Sequence, residues 1–107
     1  MDRGEVTLND FQRRVEERLN TALKEFGLQV DRRSVGWEEG FSPRQAETII
    51  YVRAQELEVR IREDSVSFTL SGKGNYMYEM PDYANPDALA DALLAAVTER
   101  WHKQPRK

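Results

Sequence analysis

The chain has 107 residues, of which 39% are hydrophobic and 33% charged; it carries a net charge of −3 and no cysteine. This length suits one domain with one core. The missing cysteines exclude disulfides, thiolate metal sites and cysteine nucleophiles. The acidic balance disfavours nucleic-acid binding, whose affinity comes mainly from phosphate neutralisation.

The ends of the chain and its hydropathy predict a cytoplasmic protein without membrane contact. The first residues are charged and no apolar segment follows them, which differs from a signal peptide. No apolar run approaches the ~20 residues of a membrane-spanning helix. We expect one domain over residues 1–107, with frayed ends at 1–6 and 104–107.

The first predicted element is a helix over residues 7–26. Apolar residues recur there every three or four positions from Leu8 to Phe26, which is typical of a helix with one buried stripe. Thr7 is placed to cap its start, and Gly27 is placed to end it in the left-handed conformation.

Residues 28–46 show no periodicity, and we predict a long loop. Trp37 lies between Gly36 and Gly40, and Phe41 precedes a proline. The two aromatic residues would anchor this loop. Loops of such length in small domains often carry function.

Three strands follow, over residues 48–53, 57–62 and 66–70. The last two alternate strictly between apolar and polar residues, which indicates half-buried strands. A turn centred on Glu63 and Asp64 puts all their apolar residues on one face. The resulting pairs are Ile61 with Val66, Val59 with Phe68, and Leu57 with Leu70.

A fourth strand is predicted at 76–80, after a three-residue loop at 72–74 that would pair Tyr76 with Leu70. Asn85 and Pro86 then start a second helix over about 86–102. The predicted fold class is therefore α+β, α-β-β-β-(β)-α, with an antiparallel meander sheet and both helices on one face. The predicted core comprises Phe11, Leu19, Val59, Phe68, Leu93 and Val97.

No catalytic, metal or cofactor site is predicted. His102 is the single histidine and lies at the end of the second predicted helix, where the helix dipole favours a cation, so we expect a structural role. With no cysteine and no second histidine, it has no histidine or cysteine partner for a zinc site. The segment at 71–75 (SGKGN) lacks the spacing of a phosphate loop and fits a hairpin turn better. Asp87 and Asp91 share a helical face, but carboxylates at a helix start usually interact with the helix dipole.

The face of the sheet away from the helices is the more informative feature. Arg60 and Arg62 point away from the core, and the run at 49–52 places apolar residues on both faces of its strand. An apolar patch beside arginines is typical of a protein interface. The residues predicted to form it are Ile49, Tyr51, Arg53, Arg60, Arg62 and Trp37.

The leading hypothesis is a non-enzymatic interaction module that binds a protein partner or a second copy as a homodimer. An alternative is a nucleic-acid binder that uses Tyr51 with Arg53, Arg60 and Arg62. Another alternative is a small-ligand binder or enzyme at the Trp37 loop. The open face could instead be covered by that loop, with Trp37 or Phe41 as its plug.

The predicted element order is similar to that of the double-stranded-RNA-binding domain. The resemblance covers the order of elements alone. That family carries a lysine-rich start to its last helix, whereas the matching positions here are Asn85, Pro86 and Asp87. Because this segment is acidic, the resemblance argues against RNA binding.

Overall fold

A computed structural model describes residues 7–38 and 45–103, with side chains omitted at 38, 73–75 and 101–103. It confirms the α+β meander, in which two helices pack on a sheet of neighbouring antiparallel strands in chain order. The elements are α1 (Asp10–Glu25), β1 (Arg32–Glu38), β2 (Gln45–Val52), β3 (Leu57–Ile61), β4 (Ser65–Leu70), β5 (Lys73–Glu79) and α2 (Pro86–Lys103).

The sheet has five strands, one more than predicted. The expected loop over 28–46 is wrong in its centre, because Arg32–Glu38 forms β1 and pairs with β2 in an unbroken register. Phe41 lies outside the described residues. Five strands between the helices also separate this chain from the three-strand order of the double-stranded-RNA-binding domain.

Local chemistry sets both ends of α1. Asn9, and not Thr7, caps its start: the Asn9 side chain accepts from the Gln12 backbone at 2.8 Å, and Gln12 accepts in return from the Asn9 N–H at 2.9 Å. At the other end Gly27 has a φ of +78°, as predicted. The N–H of Leu28 donates to the Leu23 carbonyl at 2.9 Å, which satisfies the helix end.

The hairpin of β3 and β4 has the predicted register. Val59 faces Phe68, with Leu57 opposite Leu70 and Ile61 opposite Val66. All six side chains are at most 4% exposed. A one-residue slip would turn the three apolar side chains of one strand to the other face, so burial alone selects this register.

The hairpin of β4 and β5 is tighter than predicted. Its turn consists of Ser71 and Gly72, whose φ values of 55° and 71° match a two-residue hairpin turn. Tyr76 therefore faces Phe68 and not Leu70. The displacement is two residues, so Tyr76 and Tyr78 still point towards the helices, as the alternation predicted.

Both helices lie on the face that carries these apolar residues. Among the six predicted core residues, five are buried and Phe11 is partly buried. Asn85 caps α2, because its side chain accepts from the Ala88 N–H at 2.8 Å. Neither helix, over the residues described, has the length and apolar character needed to cross a membrane.

Ion pairs show that the helices run parallel. Arg14 donates to both carboxylate oxygens of Asp87, at 2.7 and 2.9 Å, and Arg18 donates to Asp91 at 3.0 Å. The second pair is reached from the first by moving four residues towards the C-terminus on both helices, so the two helices run in the same direction. These aspartates are thus partners of arginines, where the sequence had suggested at most a weak cation site.

Candidate protein-interaction face

The face of the sheet opposite the helices, here called the helix-free face, carries two rows that run across the strands, with Glu47 and Arg62 beside the central row. Strand pairing defines both rows. The central row is Ser34, Ile49, Arg60, Ser67 and Met77. The second row is Arg32, Tyr51, Glu58 and Thr69. No helix of the described part of the chain packs on either row.

Arg60 occupies the middle of the central row and bridges two carboxylates. Its Nε donates to Glu58 at 3.1 Å, and its Nη1 lies 3.6 Å from Glu47. Glu47 is only 8% exposed although it lies on the helix-free face. The positive charge at the centre of this face is therefore largely neutralised by its neighbours.

Small hydroxyl residues of β4 lie beneath longer side chains. Ser67 is 2% exposed, and its Oγ accepts a hydrogen bond from Arg62 Nη1 at 3.1 Å. Arg60 precedes it in the row and Met77 follows it. The Arg62 side chain therefore covers part of Ser67.

Apolar surface accompanies these charges. Met77 is 49% exposed, one of three large hydrophobic residues that are exposed among those the structure describes. Ile49 and Tyr51 are half-buried. The guanidinium carbon of Arg32 lies 5.1 Å from the centre of the Tyr51 ring, within the range of a cation–π contact.

No family model, curated protein or solved structure matches the chain. The function is therefore inferred from the chemistry of the face itself.

Four of the six predicted interface residues meet on the helix-free face: Ile49, Tyr51, Arg60 and Arg62. Arg53 does not lie in the sheet, because it starts a short 3₁₀ turn after β2, where its N–H donates to Asp31 at 2.6 Å. Trp37 pairs with Ala46, two residues before the buried Thr48. Alternation therefore puts Trp37 on the helix side, where it cannot plug the helix-free face.

Sequence reasoning missed Arg32, Glu47 and Met77 on this face. A signal for Met77 existed, since it lies between Tyr76 and Tyr78, which were predicted to point inwards. Arg32 had no such signal, because its strand was assigned to a loop. Glu47 precedes the predicted start of this strand at residue 48, so its place on the face depends on three extra paired residues, which begin at Gln45.

The opposite face of β1 is fixed to α1 by an ion pair. Arg33 bonds the Glu16 carboxylate through both Nε and Nη2, the latter at 3.1 Å. Glu16 is 8% exposed, and its hydrogen bond raises the pKa of the Arg33 guanidinium. This contact holds the edge strand against the helix layer.

The other candidate sites give less support for a binding or catalytic function. An apolar crevice between the helices and β3 is lined by Leu19, Leu57 and Leu93, but its interior of about 10 Å³ holds roughly one water molecule. The side chain of His102 lies outside the described residues. The 71–75 segment forms the turn and start of β5, as a hairpin requires.

Proposed function

We propose that the chain is a non-enzymatic interaction module that binds a partner protein on its helix-free face. The observation that carries the proposal is the composition of this face at its centre. Ile49, Arg60 and Met77 cross it in one row, with Tyr51 beside them. Tyrosine, arginine and methionine are enriched in protein interfaces. Lysine, which interfaces disfavour, is missing from the described side chains of this face.

A nucleic acid is the less favoured partner. A phosphate at Arg60 would have to displace or tolerate two carboxylates, those of Glu47 and Glu58. Carboxylates near a phosphate site add repulsion, whereas nucleic-acid affinity depends on net phosphate neutralisation. The same paired charges suit a protein surface that itself carries both signs.

An enzymatic role is also disfavoured by the contacts on this face. Ser67 is 2% exposed and already accepts a hydrogen bond from Arg62, so it is a poor nucleophile. The Glu58 carboxylate is bonded to Arg60. These groups stabilise one another. A cytoplasmic location belongs to the same proposal and is supported by the lack of cysteine.

The test uses the double variant Tyr51→Glu with Met77→Glu and the matched control Ala95→Glu on the exposed side of α2. Partners are captured on the wild-type chain from nuclease-treated extract of the source cell, purified, and titrated against all three proteins. We expect the double variant to lose at least ~100-fold in affinity, as the removal of two interface anchors implies, and the control to bind like wild type.

Two results would contradict the proposal. One is equal affinity of the captured partner for the double variant and the wild type, when circular dichroism shows that both proteins are folded. The other is salt-sensitive binding of single-stranded RNA or DNA, measured by fluorescence anisotropy, that is weakened by Arg60→Gln. That second result would favour the nucleic-acid alternative.

A further inference from the structure

We propose that the edge of the molecule where α2 packs against β5 binds the phosphate group of a small phosphomonoester. The site consists of Arg100 of α2, Tyr76 and Tyr78 of β5, and Tyr83 in the connection between these elements. It lies on the helix side of the sheet, so it is separate from the helix-free face and independent of the function proposed for that face. All four side chains are half-buried, which leaves room for one chemical group and not for a length of peptide chain.

Aromatic stacking fixes the rings of this tyrosine cluster. Tyr76 stacks on the ring of Phe68 with the ring centres 5.1 Å apart, and Tyr78 stacks on the same ring at 6.3 Å. Tyr83 packs against Tyr78, with 6.4 Å between the ring centres. Because Phe68 is 1% exposed and belongs to the close-packed core, the tyrosine rings are held in place before any ligand binds.

The side chain of Arg100 is positioned by the same cluster. Its guanidinium carbon lies 4.1 Å from the centre of the Tyr76 ring, which is a close cation–π contact. A guanidinium carries its donors in a rigid planar fork that matches two oxygens of a phosphate. Contact with a fixed ring therefore prepares Arg100 to bind an oxyanion at little cost in side-chain entropy.

Arg100 forms no ion pair with a carboxylate of the described residues. The arginines of α1 that face α2 differ from it, because Arg14 pairs with Asp87 and Arg18 pairs with Asp91. The Nε of Arg100 is buried, and it has no hydrogen-bond acceptor in the described part of the chain. A buried donor without an acceptor is unfavourable. A phosphate that accepts from Nε and a terminal nitrogen, after a small rotation of the side chain, would satisfy it.

The phenol groups are suited to the same ligand. Burial raises the pKa of Tyr78, Tyr83 raises it further, and Arg100 lowers it. The Tyr78 hydroxyl is therefore protonated at neutral pH and can donate to an anion. No carboxylate of the described residues contributes to this pKa, so Arg100 supplies the charge felt at the cluster. One cation beside hydroxyl donors matches a phosphate dianion, which presents three acceptor oxygens.

Titration of the whole chain with phenyl phosphate tests the site. Nuclear magnetic resonance of the isotope-labelled protein follows the backbone amide signals of Tyr78 and Tyr83 and the Nε–H signal of Arg100. The ionic strength is kept constant with sodium chloride. We expect saturable shifts of these signals. Affinity should fall at least ~10-fold in Arg100→Gln, which removes the charge-assisted donors.

The matched control is Arg53→Gln. It removes the same charge in the 3₁₀ turn after β2, three strands away from β5, and should bind phenyl phosphate like wild type. Benzoate is the second probe, because it offers one charge and two oxygens on the same ring. It should bind at least ~5-fold more weakly than phenyl phosphate.

Two conservative variants keep the test decisive if Arg100→Gln fails to fold. Arg100→Lys retains the positive charge but lacks the fork of donors, and Tyr78→Phe retains the ring but lacks the hydroxyl. Each should be folded by circular dichroism and should bind phenyl phosphate at least ~3-fold more weakly than wild type.

Four results would overturn the inference. The first is the absence of saturable shifts at millimolar phenyl phosphate. The second is unchanged affinity in folded Arg100→Gln or, if that variant does not fold, in both Arg100→Lys and Tyr78→Phe. The third is an equal loss in Arg53→Gln, which would identify general attraction of anions. The fourth is benzoate binding as tight as that of phenyl phosphate, which would reject phosphate as the ligand class.

Discussion

The side-chain amide of Gln12 donates a hydrogen bond to the backbone carbonyl of Ala46 at 2.9 Å. Gln12 is fully buried, and its amide lies 3.4 Å from the Ile61 carbonyl as well. Its oxygen completes the capping box of α1. One residue thus satisfies the helix start and ties it to the ends of β2 and β3.

We expect Gln12→Leu to lower the free energy of unfolding by about 1–3 kcal/mol, because it leaves buried polar groups without their partner. Urea denaturation followed by circular dichroism measures the change. The control is Gln29→Leu at an exposed position after α1, which should change stability little. Equal effects of the two substitutions would contradict the role given to Gln12.

The two faces of the sheet should respond differently to truncation. Phe68 is 1% exposed and stacks on Tyr76, with ring centres 5.1 Å apart. Phe68→Ala should cost about 3–5 kcal/mol, which is enough to unfold many small domains. Met77→Ala, on the exposed helix-free face, should cost under ~0.5 kcal/mol. Thermal melts of both variants check this, and a melting curve unchanged by Phe68→Ala would refute the core assignment.

The ion pair of Arg14 and Asp87 predicts a pH dependence. The hydrogen bond from Arg14 lowers the pKa of Asp87 below its ordinary 3.8. A depressed carboxyl pKa contributes stability that is present above 3.8 and lost as the pH falls through the lowered value. Asp87→Asn should therefore be less stable than wild type at neutral pH, and the difference should vanish in acid.

High salt should also shrink that difference, because both side chains are exposed and exposed pairs are screened. Arg14→Gln combined with Asp87→Asn completes a double-mutant cycle that isolates the pair. A difference between wild type and Asp87→Asn that persists unchanged at low pH would assign the effect to something other than this ion pair.

Backbone conformation at the turns gives a further prediction. Glu56 has a φ of 50°, a left-handed conformation that costs a non-glycine residue about 1 kcal/mol or more. Glu56→Gly should therefore raise the melting temperature. Gly72→Ala should lower it, although a Cβ there would meet nothing within 4 Å, because the φ of 71° itself is unfavourable for alanine. Calorimetry measures both shifts. A lower melting temperature for Glu56→Gly, or a higher one for Gly72→Ala, would contradict the assignment at that turn.

The strict alternation of apolar and polar residues in β3 and β4 was enough to determine their register from the sequence. The register of Val59 with Phe68 follows because any odd shift would turn the three apolar side chains of one strand away from the core face. The same alternation predicted Arg60 on the outer face but left open whether Ile49 or Ile50 accompanies it, and the pairing of Ile49 with Arg60 decides this. Helix α2 was equally predictable, since Asn85 and Pro86 are a local start signal.

The existence of β1, and with it the position of Arg32 on the helix-free face, was decided by tertiary structure alone. The segment from Arg32 to Glu38 contains only two large apolar residues, Val35 and Trp37, so burial of apolar side chains contributes little to this edge strand. It becomes a strand through backbone pairing with β2 and through the bond from Arg33 to Glu16. Side-chain periodicity reports burial and not backbone pairing, so a strand held mainly by its neighbour leaves no such pattern in the sequence.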